Sequence, residues 1–146
     1  MLSSPDPEFA VALGRLSHVA VLVRDLASAI RKYQVLFGAK LLEQETLANG
    51  ADIAVVDLGG THLELLSTRQ PESKVGKLLA ERGEGIHHLS YEVGDLDAAL
   101  ERLRASGVRL RDQVPRPGLH GRRIAFLEPE DTLGVLIELV DEQQSS

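Results

Sequence analysis

The sequence predicts an α+β fold in which two tandem βαβββ modules join their strands into one curved mixed sheet around a cleft. The first observation behind this is a repeat. His18 and His88 lie 70 positions apart, and each is followed seven residues later by Asp-Leu, at Asp25-Leu26 and Asp95-Leu96, and then by Ala29-Ile30 or Ala99-Leu100. The second observation extends it. DIAVVDLGGTHLELL (52–66) is echoed by RIAFLEPEDTLGVLIELV (123–140), with Leu63-Glu64-Leu65 answered by Ile137-Glu138-Leu139. A period near half the chain means two fused copies of one module rather than a solenoid. The third observation is size: 146 residues, 43% of them hydrophobic, suit one compact domain, whereas neither half alone could cover a sheet face.

Residues 1–14, rich in Ser, Pro and Asp, read as a loose N-terminal tail closed by Gly14. Residues 16–23 alternate with β-branched side chains and suit a strand. Its period of two sends His18, Ala20 and Leu22 to one face and Val19, Val21 and Val23 to the other. Asp25 stands at a helix N-cap, Leu26, Ala29, Ile30, Tyr33 and Leu36-Phe37 follow at helical spacing, and Gly38 ends the helix. Residues 40–45 form a short strand, Asn49-Gly50 a turn, and residues 53–58 and 61–66 two more strands around Gly59-Gly60.

A connector at 69–84 follows, in which Ser73 caps a short helix carrying Val75, Leu78 and Leu79. The second module repeats the order. It has a strand at 86–93, a helix capped by Asp95 and running to about 105, a strand at 109–113, a loop PRPGLHG, a strand at 123–127, a turn EPEDTLG and a strand at 135–140. The organisation is thus a single domain over 15–141, with modules at about 15–68 and 85–141, and a polar tail at 142–146. Helices are expected on the outside of the sheet, with the other face lining the cleft.

Composition removes several function classes. A net charge of −6 argues against nucleic acid or an anionic membrane as the main partner. The absence of Cys rules out disulfides and thiolate metal sites, so any metal must be held by His and carboxylate. No apolar run is long enough to span a bilayer, and the first dozen residues carry no signal-peptide pattern, so a cytoplasmic protein is expected.

The period-two reading selects a constellation. His18, His88, Glu64 and Glu138 each stand on the face opposite their apolar strand neighbours, and the two modules contribute one His and one Glu apiece at related positions. A lone strand Glu is ordinarily solvent-facing, and a lone His is ordinarily structural. Four such residues obeying the repeat are not explained that way, because independent surface residues have no reason to follow it. Two imidazoles and two carboxylates suit Co²⁺, Zn²⁺, Ni²⁺, Mn²⁺ or Fe²⁺ and leave room for substrate oxygens. His87 is expected to point away from His88 as a structural residue. His62 shares the face of Glu64, and His120 sits in a Gly-rich loop where a surface role and a substrate contact are both open. The EPED run and Arg122-Arg123 read as solvated charges by default.

A repeated βαβββ module carrying His, Glu, His and Glu resembles the vicinal oxygen chelate superfamily, which includes glyoxalase I, extradiol dioxygenases and methylmalonyl-CoA epimerases. Within it, ESKVGKLLAERGEGIHHLSYEV (72–93), GLHGRRIAFLEP (118–129) and GVLIELV (134–140) are similar to the epimerase family. The resemblance implies a glyoxalase-like fold and a divalent metal, Co²⁺ first and then Zn²⁺, Ni²⁺ or Mn²⁺, on His18, Glu64, His88 and Glu138. It also implies a homodimer and an isomerase that moves a proton at the carbon between a carboxylate and a CoA thioester. Glu138 and His62 are the implied acid/base candidates, with Asp52 and Glu45 as further ones. His120, Gly121 and Arg122 are the implied substrate contacts. In several bacterial members one base is a Glu three residues after the turn glycine; counted from Gly50, Ile53 stands there. The alternatives are a glyoxalase I-type lyase acting on a glutathione hemithioacetal, and a non-catalytic binding protein of the same fold.

Overall fold

The computed structural model describes residues 9–142. Its elements are β1 (Leu16–Leu22), α1 (Leu26–Phe37), β2 (Lys40–Thr46), β3 (Ala51–Leu58), β4 (Thr61–Thr68), α2 (Lys74–Arg82), β5 (Gly85–Val93), α3 (Leu96–Ala105), β6 (Arg116–Pro117), β7 (Arg123–Phe126) and β8 (Ile137–Asp141). Among the described residues, eight strands form one mixed sheet in the order β2-β3-β4-β1-β5-β8-β7-β6. The order is symmetric about its middle. β1 and β5 meet antiparallel, and each is flanked by a parallel partner from its own module, β4 and β8. The sheet curls into a half-barrel.

The helices start and stop where side-chain chemistry dictates. Asp25 accepts from the Ser28 N–H at 2.9 Å and Asp95 from the Ala98 N–H at 3.0 Å, satisfying donors that the first turn leaves free. Gly38 closes α1 at φ 66°, which a side chain would resist. α1 lies on the convex face over Ala54, Val56 and Leu65; α3 covers Ala125, Leu127 and Leu139 there. The third helix departs from the expectation that helices stay outside. α2 packs Val75, Leu78 and Leu79 against Leu22, Ala51, Ile53 and Leu66, residues of the concave face, and so plugs one end of the cleft. Period two explains this, since Leu22 shares the parity of His18 and Ala20.

Two further expectations change. At residues 109–113 the strand is reduced to a single bridge between Leu110 and Leu127. The Asp112 carboxylate accepts from the Phe126 N–H at 2.8 Å, taking the position a backbone carbonyl would fill, so the ladder resumes only at β6, inside the expected loop. The expected N-terminal tail is paired at its end. The Gly14 N–H donates to Glu92 O at 2.7 Å and Val11 packs against the α3 core. Residues 1–8, and 143–146 of the expected C-terminal tail, lie outside the described residues.

Candidate metal centre

The ladder registers explain how four strands aim at one point. Ala20 pairs with Glu64 on one side and His88 on the other; Ser90 pairs with Glu138 and His18. Cross-strand partners share a face, so two rows, Glu64-Ala20-His88 and Glu138-Ser90-His18, run side by side in opposite senses across the seam between modules. Ala20 and Ser90 are fully buried and small, which leaves space above them. His18 Nε2 stands 3.2 Å from Glu64 Oε2 and 3.5 Å from Glu138 Oε1, and His88 Nε2 stands 3.7 Å from Glu138 Oε2. Donor atoms of His18, Glu64 and His88 lie within 4.8 Å of one another.

Two bulges complete the site. Between Leu16 and His18 the register advances by one extra residue in β1, Ser17; between Ala20 and Val21 it advances by one extra in β5, His87. A bulged residue escapes the alternation of its strand. Ser17 Oγ therefore reaches His18 Nδ1 at 3.1 Å, and His87 Nδ1 reaches His88 Nδ1 at 2.7 Å. Ser17 and His87 are themselves repeat-related. His87 thus lines the cavity instead of pointing away from His88, as strict alternation had suggested. Each contact occupies Nδ1 of a cleft histidine and leaves its Nε2 facing the cluster, the arrangement second-layer groups give to metal ligands.

Burial sets the protonation states. The Glu64 carboxyl is pushed up to about 8 by burial, with the Glu138 and Glu43 carboxylates adding to the shift. Burial raises Glu138 to about 7, and the Ser90 hydroxyl, then Arg116 and Arg122, oppose the rise. Burial lowers His18 to about 4, helped by Arg122 and His62, and holds His88 well below its ordinary value. Among the described residues, His18 Nε2, His88 Nε2 and Glu138 Oε1 are buried without a hydrogen-bond partner. Orphaned polar atoms of this kind need a partner. A nitrogen and an oxygen donor set converging on one space fits a divalent cation, and the fit holds on these residues alone.

The cluster floors a cavity of about 340 Å³ walled by Ile53 and Val55 on one side and Ile124, Phe126 and Val140 on the other. The remaining expected site residues surround it. His62 is exposed at the rim. Arg122 lines the wall; its guanidinium donates to Asp141 O at 3.0 Å, while Nε is buried and unpartnered among the described residues. His120, at φ 56°, turns its ring onto β2, with Nε2 against Glu43 and Nδ1 3.3 Å from Glu45 Oε1. Gly121, at φ 69°, closes that turn by donating to Gly118 O and does not line the cavity. Asp52 is taken up by Thr46 and Arg69, away from the cavity. Sequence reasoning passed over Glu43, Arg116 and His87, all of which line it. The Arg123 and EPED charges form exposed pairs, with Asp97 and Asp141 for Arg123 and with Arg109 and Arg111 for Asp131 and Glu128.

A family model described as the glyoxalase/bleomycin resistance protein/dioxygenase superfamily matches residues 17–126. The chain belongs to that superfamily. Among its members, an ethylmalonyl-CoA/methylmalonyl-CoA epimerase of Cereibacter sphaeroides is 38% identical over 130 residues, covering 87% of this chain and 97% of that protein. A methylmalonyl-CoA epimerase of Mycobacterium tuberculosis superposes with a TM-score of 0.85 at 35% identity, covering 99% of this chain and 94% of its own. A methylmalonyl-CoA epimerase solved with methylmalonyl-CoA and NH4+ superposes at 0.82 with 36% identity, covering 90% and 96%. No helix among the described residues is long and apolar enough to cross a membrane.

Proposed function

We propose that the protein is a metal-dependent methylmalonyl-CoA epimerase, acting as a homodimer, with Co²⁺ the best-suited ion and Zn²⁺, Ni²⁺ or Mn²⁺ acceptable. The observation that carries this reading is the buried, unpartnered set of nitrogen and oxygen donors at the floor of an apolar-walled cavity, in a chain similar to epimerases along nearly its whole length. His18, Glu64, His88 and Glu138 would hold the ion. When bound, it supplies Lewis-acid stabilisation of the negative charge that develops on a thioester oxygen as the α-proton leaves.

The chain's own residues supply the rest. Apolar walls from Ile53, Val55, Ile124 and Phe126 exclude water around the reacting carbon, which strengthens every electrostatic contact there. Arg122 offers its free Nε to the substrate carboxylate, and its positive charge favours that anion inside the cavity. His120 borders the same space. Glu138 has two oxygens, one on each histidine side, so that one could face the ion while the other takes or returns a proton. His62 at the rim is the weaker acid/base candidate because it is exposed and lies outside the apolar walls.

The test is direct. Metal-loaded protein is incubated with one epimer of methylmalonyl-CoA in deuterated water and followed by NMR. The expected result is both epimers carrying α-deuterium; turnover of a glutathione hemithioacetal without exchange in the CoA ester would reverse the assignment.

A further inference from the structure

Inverting a carbon by moving its own proton takes a group on each face, and Glu138 provides for one wall only. We propose that Glu43 is the second proton-transferring group, on the opposite wall, and that His120 and Glu45 hold it in place and recharge it. The inference rests on the epimerase reading above.

The register places Glu43. It pairs with Val55 of β3, and Val55 pairs with Glu64 of β4, so Glu43, Val55 and Glu64 form one row on the concave face. Two strand spacings separate Glu43 from Glu64, about 10 Å along the sheet. Glu138 lies three strands from Glu64 in the other direction, on β8. Curling of the sheet turns these two walls toward each other across the cavity, and both carboxylates line it. After burial and the Glu138 carboxylate, Glu43 adds to the rise of the Glu64 carboxyl.

Parity alone would not have put Glu43 there. Leu41 pairs with Val56 and Glu43 with Val55, so Leu42 is an extra residue in β2 and the strand changes face at that bulge. The same row shift puts Glu45 opposite Ile53.

His120 finishes the arrangement. Its loop leaves β6 at one edge of the sheet and reaches β2 at the other, with Leu119 packing into the cluster of Leu22, Ile53 and Leu66. The ring sits between two carboxylates, Nε2 on Glu43 Oε2 and Nδ1 on Glu45 Oε1, and its backbone N–H also donates to Glu45 Oε1 at 3.3 Å. Glu43 itself lines the cavity. In one direction, the Glu43 carboxylate takes the α-proton: the C–H bond breaks, an O–H bond forms, and the electron pair enters the thioester enolate. The group on the far wall then returns a proton to the other face, re-forming C–H. The other epimer runs the sequence in reverse. Glu43 exchanges its proton through His120, whose side chain is 56% exposed and so meets solvent.

The other candidates carry less. Asp52 is saturated by Thr46 and Arg69, Lys74 is exposed at the start of α2, and His62 stands at the rim. The experiment uses Co²⁺-loaded full chain and each epimer separately in deuterated water. Glu43→Gln is expected to slow epimerisation roughly 10²–10⁴-fold, keep its metal content, and still exchange the α-proton of one epimer without inverting it. Glu43→Asp should fall between, and the loss in His120→Ala should be partly restored by added imidazole. Epimerisation by Glu43→Gln at the unmutated rate would overturn the inference. So would one-sided exchange appearing in His62→Gln and not in Glu43→Gln, or loss of exchange at both epimers with full metal retained. Absence of exchange in the unmutated protein would instead remove the epimerase reading itself.

Discussion

Metal loading should expel protons, and the number follows from the cluster. With Glu64 at about 8 and Glu138 at about 7, the metal-free protein at pH 7 holds about 1.4 protons on this pair, all of which must leave when both carboxylates become ligands. His18, lowered to about 4, is already neutral and adds none. The apparent affinity for Co²⁺ should accordingly rise by about three orders of magnitude from pH 6 to pH 9, with about 0.1 proton released at the upper end. Folding stability moves the other way without metal. A raised carboxyl stabilises fully below its ordinary 4.5, and that contribution is lost as pH climbs through about 7 for Glu138 and about 8 for Glu64. The lowered His18 works oppositely, contributing fully above its ordinary 6.5 and losing it as pH falls through about 4. Chelator-stripped protein should then be most stable in mildly acid solution and weaken toward pH 8, while the gain in Tm from metal grows with pH. Calorimetric titration of Co²⁺ in two buffers of different ionisation heat, from pH 6 to 9, reads the proton count. A heat independent of buffer, with affinity flat across that range, would refute the reasoning.

Two further substitutions test local arguments. Ser17→Ala removes the group on His18 Nδ1 and should weaken Co²⁺ binding by about 10- to 100-fold while leaving thermal unfolding of the stripped protein nearly unchanged, as competition against a chelator would show. Gly76→Ala normally favours a helix by about 1 kcal/mol, yet here a Cβ would meet Gln70 O and Pro71 O at 2.5 Å, so denaturant unfolding should report a loss of stability.

How far the sequence reveals the site depends on where regular alternation holds. β4 and β8 alternate cleanly, and so Glu64 and Glu138, opposed to Leu65 and Leu139, could be assigned to the cleft from their parity alone. His18 and His88 were legible for the same reason, helped by the repeat. What parity hid is located at bulges. Ser17, His87 and Leu42 are each the extra residue of a ladder, and each re-aims its neighbours. A bulge has no composition signal here, since none of the three is Gly. The β6 region was illegible for a different reason: Asp112 replaces a backbone acceptor with its side chain, and nothing in local propensity predicts that a carboxylate will find Phe126 N. The reach of His120 to Glu43 and Glu45 spans more than 70 positions and joins opposite sheet edges, a relation that only the closed curl of the sheet creates.

Duplication also explains why the site sits on the seam and why it need not be symmetric. A two-fold relation between copies puts equivalent residues equally far from one axis, so donors on β1 and β5 can share an ion only where those strands are neighbours. Every ligand pair obeys this, but the residues around it have diverged. Ser17 answers His87, Ala20 answers Ser90, and Val55, beside Glu64, answers Phe126, beside Glu138. The wall bearing Glu43 is tied to solvent through an exposed imidazole, and Glu138, beside Phe126 in the ladder, is 4% exposed. The two carboxyls proposed to move the proton thus differ in their access to solvent.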